Sequence, residues 1–219
     1  GGTVKLADLA VRNYVWYKRD KLIVQDFEDK GPNDGVEGAF VMDPVVGLHR
    51  NINACDIKSL YPSKIMALNI SPEKVVGQFL LSKEAYRGVI DELDKSYSFE
   101  VDVTKEYMVK TGKEWKQYFK DNNMCISGYG TVFSMDGYGI FPSLLSEWFA
   151  ERIHYQDLMG KTNGDEHEYY DKLQYIIKIL LNSFYGSLLN SYFRYFDIRL
   201  GASVTTSGRE VAVHQASQI

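Results

Sequence analysis

Apolar positions recur along the chain with two different periods. From Leu6 to Tyr17 they return every three or four residues, as one face of an amphipathic helix requires. The same spacing resumes from Pro142 to Lys161 and again from Glu168 to Leu189. The polar stretch "TNGDEHE" separates these last two runs, and so short a connection between helices of similar length predicts an antiparallel helical hairpin. Elsewhere the apolar runs are shorter and bounded by turn residues, which predicts strands at "KLIVQDF" (21–27), at "EGAFVMDPVVG" (37–47, ended by Pro44), at "NINAC" (51–55) and at "SFEVDVT" (98–104). "EDKGPNDG" (28–35) reads as a surface loop. "MCISGYGTVFSMDGYGIFP" (124–142) holds two apolar runs joined at "MDGYG", a hairpin signal. Between 81 and 121 helix and strand signals mix without a motif, and a further helical pattern opens at "GASVTTSGREVAVHQASQI" (201–219).

Two places stand out chemically. The "NINAC" strand delivers Asp56 to its end, and Ser59-Leu-Tyr-Pro then begins a helix whose first turn suits Pro62. On the last long helix Lys178, Asn182 and Tyr185 share one face, while Ile177, Leu180, Leu181, Phe184 and Leu188 lie mainly on another. Gly186 costs about 1 kcal/mol relative to alanine inside a helix, so a close approach to the backbone is expected there. Each feature also has an ordinary reading: Asp56 as a helix N-cap, and the Lys-Asn-Tyr face as a solvated surface.

Composition narrows the class. With 219 residues, 45% of them hydrophobic, the chain can build one large core or two small ones. A net charge of −4 neither supports nor excludes a nucleic-acid partner, because a local basic stripe can exist within an acidic total. Cys55 and Cys125 and the four histidines (His49, His154, His167, His214) lack zinc-like spacing. No secretory leader is present and no apolar run approaches the roughly 18 residues of a membrane span, so a cytoplasmic protein with no membrane partner is expected.

The two chemical places read differently when taken together. "DIKSLYPS" (56–63) and, later, "KILLNSFYG" (178–186) match D-x-x-S-L-Y-P-S and K-x-x-x-N-S-x-Y-G at every fixed position and in order. In this the chain resembles the family B DNA polymerases. "EGAFVMDP", "NISP", "GIFPSLLSEWFAER" and "NSYFRYFDIR" look most like the replicative polymerases of T-even-type bacteriophages, which would place the protein in a host cytoplasm. The resemblance implies an α+β fold: a partial palm, with helices on an antiparallel sheet, carrying an antiparallel two-helix fingers hairpin. It divides the chain into a region preceding the palm (1–27), the first part of the palm (28–138), the fingers (139–190) and the start of a returning palm segment (191–219).

It also implies roles for individual residues. Asp56 would be the catalytic acid and, with the backbone carbonyl of Ile57, would bind two Mg2+ ions. The turn at Ser59 and Leu60 would offer backbone amides to a triphosphate. Tyr61 would be a steric gate against ribose. Arg152 and Lys178 would grip the triphosphate with support from Asn182, Tyr185 and Gly186 would pack against the nascent base pair, and Gly38 and Ala39 would contact the template. The implied partners are primer-template DNA, deoxynucleoside triphosphates, the remaining polymerase segments (exonuclease domain, rest of the palm, thumb) and a sliding clamp reached through other regions.

The chain also departs from the family pattern. Gln156 stands where a second basic residue usually follows Arg152, Val36 replaces the tyrosine of the template-contact segment, and Lys64 replaces an isoleucine at a position expected to face solvent. No Asp-Thr-Asp motif follows Gly186, and Asp102 and Asp136, which precede the second motif, read as structural. The expectation is a polymerase fragment that is inactive alone. The alternative is a non-catalytic nucleic-acid-binding or interaction module that retains the polymerase fold.

Overall fold

The computed structural model describes residues 2–18, 41, 43, 44, 46–51, 56, 57, 59–80 and 92–217. In chain order its elements are α1 (Gly2–Lys18), α2 (Leu60–Ala67), a 3-10 turn (Pro72–Lys74), β1 (Val75–Phe79), β2 (Ser96–Val101), β3 (Tyr107–Thr111), α3 (Gly112–Asp121), β4 (Met124–Ile126), β5 (Thr131–Ser134), α4 (Ile140–Lys161), α5 (Asp165–Leu188) and α6 (Ile198–Ser217). This is the α+β architecture expected from the sequence.

The strands form one sheet in the order β3-β2-β1-β5-β4, antiparallel throughout. Strand alternation sends Phe79, Tyr97, Phe99 and Val132 to one face, where α3 covers them with Trp115 and Phe119. Trp115 is fully buried, and its indole N–H donates to the Tyr97 carbonyl at 3.0 Å, so the largest ring of this cluster leaves no donor unpaired. Gly77 must be glycine: a Cβ there would lie 2.1 Å from the Glu100 carbonyl oxygen and 2.4 Å from the Phe99 ring.

The second core is helical. Val4, Val11 and Val15 of α1, Ile65 of α2, Phe141 and Leu145 of α4, Ile177, Leu181, Phe184 and Leu188 of α5, and Leu200 and Val204 of α6 pack together, joined by Phe133 from the sheet. Helices α4 and α5 are connected by only Thr162 to Gly164, with Gly164 at φ +62, and form the antiparallel hairpin. An ion network ties sheet to helices. Arg199 donates through Nη1 to Asp102 at 2.7 Å and through Nη2 to Asp197 at 2.6 Å, and Lys105 donates to the same Asp102 oxygen at 3.1 Å. Asp136 accepts from the Asn123 amide at 2.7 Å. Both acids are therefore engaged structurally, as expected.

Several expectations need correction. The β4–β5 hairpin turns at Ser127 to Gly130, where the Gly130 N–H donates to Ser127 and the Ser127 N–H to Thr131; "MDGYG" instead leads into α4. The β-turn chemistry of "SGYG" satisfies those amides locally, which "MDGYG" does not need to do. Val41 and Asp43, expected within a strand, and Pro44, expected to end it, lie in none. Helix α5 starts at Asp165 because the acidic first turn of Asp165, Glu166 and Glu168 suits the positive end of the helix dipole. Lys64 does not simply face solvent: it is partly buried, and desolvation lowers the pKa of its amine. The strands expected at 21–27 and 51–55, the loop at 28–35, and Val36, Gly38 and Ala39 lie outside the described residues, save that Asn51 is described and lies in no strand.

Strands β1 and β3 are not among the elements expected from the sequence, and α3 lies in the stretch where helix and strand signals mix. For α3 a signal was present: Thr111 and Glu114 form a capping box, with the Thr111 hydroxyl accepting from the Glu114 N–H at 3.3 Å and Glu114 accepting from the Thr111 N–H at 2.8 Å.

Candidate functional site

The first motif folds as a strained turn into a short helix. Ser59 is the N-cap residue just before α2 and sits in the left-handed region at φ 54, ψ 49, which costs a non-glycine residue roughly 1 kcal/mol or more. Among the described residues no side chain caps the helix, and the N-cap position belongs to Ser59, so Asp56 is not its N-cap. Asp56 is exposed, and Ile57 is partly buried. The Ser63 N–H closes the first turn on the Ser59 carbonyl at 2.9 Å. Pro62 has no N–H, so the helix end presents the amides of Leu60 and Tyr61, which have no intrahelical acceptor. A left-handed residue followed by a helix points successive amides into one concavity, a shape suited to anionic oxygen.

The second motif lies along α5, with Ile177, Leu181, Phe184 and Leu188 buried and Lys178 and Asn182 exposed. Tyr185 turns inward and meets the first motif: its ring stacks on that of Tyr61 at 4.2 Å between centroids and 26° between planes. Burial pushes the Tyr185 phenol up to about 12, proximity to Tyr61 adds to the shift, and a hydrogen bond with the Thr205 side chain opposes it. The pair rests on α6. A Cβ on Gly208 would come within 3.2 Å of the Tyr61 ring, so α6 approaches this closely only because residue 208 has no side chain. A Cβ at Gly186 meets no described atom within 4 Å, so the backbone there stays open to a molecule from outside the chain.

Arg152 faces α5 from α4, against Gln174, about three helical turns before Tyr185. It is only 9% exposed, and its Nε donates to the Gln174 side-chain oxygen at 3.3 Å. Gln156 donates to that same oxygen at 3.5 Å, and Gln174 in turn donates to Asp171 at 2.9 Å. Among the described residues Arg152 makes no ion pair. A buried guanidinium without a carboxylate bears an uncompensated desolvation cost that an anionic ligand would offset. Lys178 lies one helical turn beyond Gln174, so both cations border one face of the hairpin.

The fold therefore brings Tyr61 and Tyr185 into contact and sets Arg152 and Lys178 along the facing helices. It adds Gln174, Thr205 and Gly208, which the sequence reading did not single out. Gln174 falls on the same helical face as Lys178, a spacing that could have marked it. Thr205 and Gly208 carry only the weak signal of a run of small residues. Cys125 is not a reactive group here: burial pushes its thiol up to about 11, and it donates to the Leu68 carbonyl at 3.3 Å. No helix among the described residues is long and apolar enough to cross a membrane.

The chain is similar to known DNA polymerases. The sequence is 27% identical over 201 residues to the DNA-directed DNA polymerase of Enterobacteria phage T4, covering 78% of this chain and 22% of that protein. It is 29% identical over 192 residues to DNA polymerase beta of African swine fever virus (strain Badajoz 1971 Vero-adapted), covering 78% of this chain and 14% of that protein. It is 29% identical over 188 residues to the DNA polymerase of Paramecium bursaria Chlorella virus NY2A, covering 84% of this chain and 18% of that protein. The phage relative is thus no more similar than the others. The chain spans between 14% and 22% of the length of these relatives. In fold it resembles the family B DNA polymerase from the archaeon Pyrobaculum calidifontis, with a TM-score of 0.64 and 19% identity over 100% of this chain and 24% of that one. Residues 15–219 match DNA polymerase family B, and the chain belongs to that family.

Proposed function

We propose that the chain is the nucleotide-binding part of a template-directed DNA polymerase, which adds deoxynucleotides to a primer 3′-hydroxyl. The observation that carries this reading is the Tyr61–Tyr185 stack, which joins two motifs that are distant in sequence into one site. In this reading the amides of Leu60 and Tyr61, beside Ser59, receive triphosphate oxygens, and Arg152 and Lys178 approach them from the hairpin with Asn182 alongside. Tyr61 lies under the sugar and excludes a 2′-hydroxyl by its bulk. Tyr185 and Gly186 present a flat ring and an open backbone to the base pair, so shape rather than sequence is read. Gly38 and Ala39 are proposed template contacts.

Magnesium fits the donors at hand in one mode. Asp56 and the Ile57 carbonyl offer hard oxygen, and this metal is commonly held by one or two carboxylates together with substrate phosphates. Among the described residues no group of three or more His, Cys, Asp or Glu could hold a metal. Asp56 and Ile57 would therefore hold the ions jointly with the nucleotide, and bound magnesium would supply charge neutralisation at the phosphates. A replicative role of the T-even phage type, and primer-template DNA, the remaining polymerase segments and a sliding clamp as partners, belong to this proposal.

The test is magnesium-dependent primer extension with all four deoxynucleotides, using the chain alone and then with the remaining segments of a family B polymerase supplied separately. Extension on mixing supports the reading. No extension and no binding of magnesium-dATP by the folded chain would favour a non-catalytic module.

A further inference from the structure

The hairpin that carries Arg152 is anchored at its base by side chains from another element. Helix α4 begins after Gly139, which has no side chain to cap it. Three successive amides at that end are met from the segment that leaves α2. The Gly139 N–H donates to Asn69 Oδ1 at 2.8 Å, the Ile140 N–H to Glu73 Oε1 at 2.7 Å, and the Phe141 N–H to Ser71 Oγ at 3.2 Å. The three prongs are themselves braced. Ser71 Oγ donates to Glu73 Oε2 at 2.7 Å, and Asn69 Nδ2 donates to the carbonyls of Ser134 at 2.7 Å and Gly137 at 2.9 Å. Asn69 and Ser71 are almost completely buried, and Asn69 adopts φ 53, a left-handed conformation that asparagine tolerates.

A self-capped helix would need one polar residue at its N-terminus; here no such residue fits. A Cβ at Gly139 would lie 2.7 Å from Ser71 Cβ and 3.2 Å from Glu73 Oε1. The capping groups have been moved onto the segment that follows α2, the helix bearing Tyr61. Capping energy thus becomes an angular constraint between two helices. Arg152 stands twelve residues beyond Ile140, about 18 Å along the axis at 1.5 Å per residue, so a 10° tilt at the base would displace it by about 3 Å. A displacement of that size separates a hydrogen bond from none.

We propose that Asn69, Ser71 and Glu73 form a clamp that sets the angle of α4 relative to α2 and so places Arg152 over the nucleotide. They are positioning residues, and their effect on ligand binding rests on the nucleotide reading of Arg152. Two measurements separate the clamp from that reading. Amide hydrogen exchange at Ile140 and Phe141 reports the clamp itself, and the Kd for magnesium-dATP reports its consequence, both on the full chain. Glu73→Ala is expected to accelerate exchange at Ile140 and to weaken dATP binding about fivefold, the equilibrium equivalent of one lost cap. Glu73→Gln, which keeps an acceptor at the same place, is expected to restore both, and Ser71→Ala to accelerate exchange at Phe141. Unchanged exchange in Glu73→Ala and Ser71→Ala would overturn the clamp. Faster exchange with unchanged dATP affinity would overturn its positioning role, and so would failure of Glu73→Gln to restore affinity. A wild-type chain that binds no dATP would bring down the nucleotide reading, and with it the positioning role, and leave exchange to decide the clamp.

Discussion

Asp56 and Tyr61 are five residues apart, yet substitutions at them are expected to act on different quantities. Asp56 is exposed and caps nothing, so Asp56→Ala should leave the thermal midpoint nearly unchanged. It should abolish the magnesium dependence of dATP binding, and an equal magnesium response in the variant would remove its metal role. Tyr61 is half-buried against Tyr185 and α6, so Tyr61→Ala should cost about 2–4 kcal/mol of stability from lost burial and stacking. Its ligand effect lies in discrimination: the preference for dATP over ATP should fall, and titration of both nucleotides gives the ratio directly. Charge matters separately. Arg152→Ala should weaken dATP binding by about tenfold or more, the equivalent of one charge-assisted hydrogen bond. At this scale the sequence was informative about identity and silent about pairing: Arg152 could be named from the resemblance at "GIFPSLLSEWFAER", but its partly buried bond to Gln174 joins it to a residue 22 positions away.

Elements were legible where their period was long and uninterrupted. Helices α1, α4 and α5 each bury a face whose period is visible in the order of residues, whereas α6 is buried almost without interruption from Leu200 to Gly208. Strands β1 and β3 were missed because each is five residues long and their alternation is incomplete: β3 is an edge strand with Tyr107 and Val109 exposed, so polar and apolar positions carry little contrast. The hairpin turn was misplaced because "SGYG" and "MDGYG" are both glycine-rich. Register then decides between them: Met124 pairs with Ser134 and Ile126 with Val132, and only Ser127 to Gly130 can close that ladder. The capping box of α3 gives an element-level prediction. Thr111→Ala should destabilise the protein by about 1 kcal/mol, read from denaturant midpoints at constant m-value. A Gly77→Ala substitution should do more, about 1–3 kcal/mol or above, because β1 cannot move away from both Glu100 and Phe99.

Across the whole molecule, the sheet and the helical layer are held by Phe133 in the core and by Arg199 between Asp102 and Asp197. Burial alone would raise the Asp102 carboxyl, but hydrogen bonds from Arg199 and Lys105 outweigh it and hold Asp102 below its ordinary value. A depressed carboxyl contributes stability that is complete above its unfolded pKa, about 3.9, and is lost as pH falls through the lower folded value. Asp102→Asn should therefore lower the thermal midpoint at pH 7, by the equivalent of roughly 1 kcal/mol or less because the bridge is partly solvated, and the difference should vanish toward pH 2. A difference that persists in acid would assign the loss to packing. The motifs, their order, the helical hairpin and the family were determined by the amino-acid sequence alone, because they depend on residue type, spacing and local period. The stacking of Tyr61 on Tyr185, the burial of Arg152 against Gln174, the α6 backbone passing beneath the rings and the clamp from Asn69, Ser71 and Glu73 were decided only by the tertiary structure. Each depends on distances between residues far apart in the chain, and no local pattern encodes which of many buried polar groups will meet.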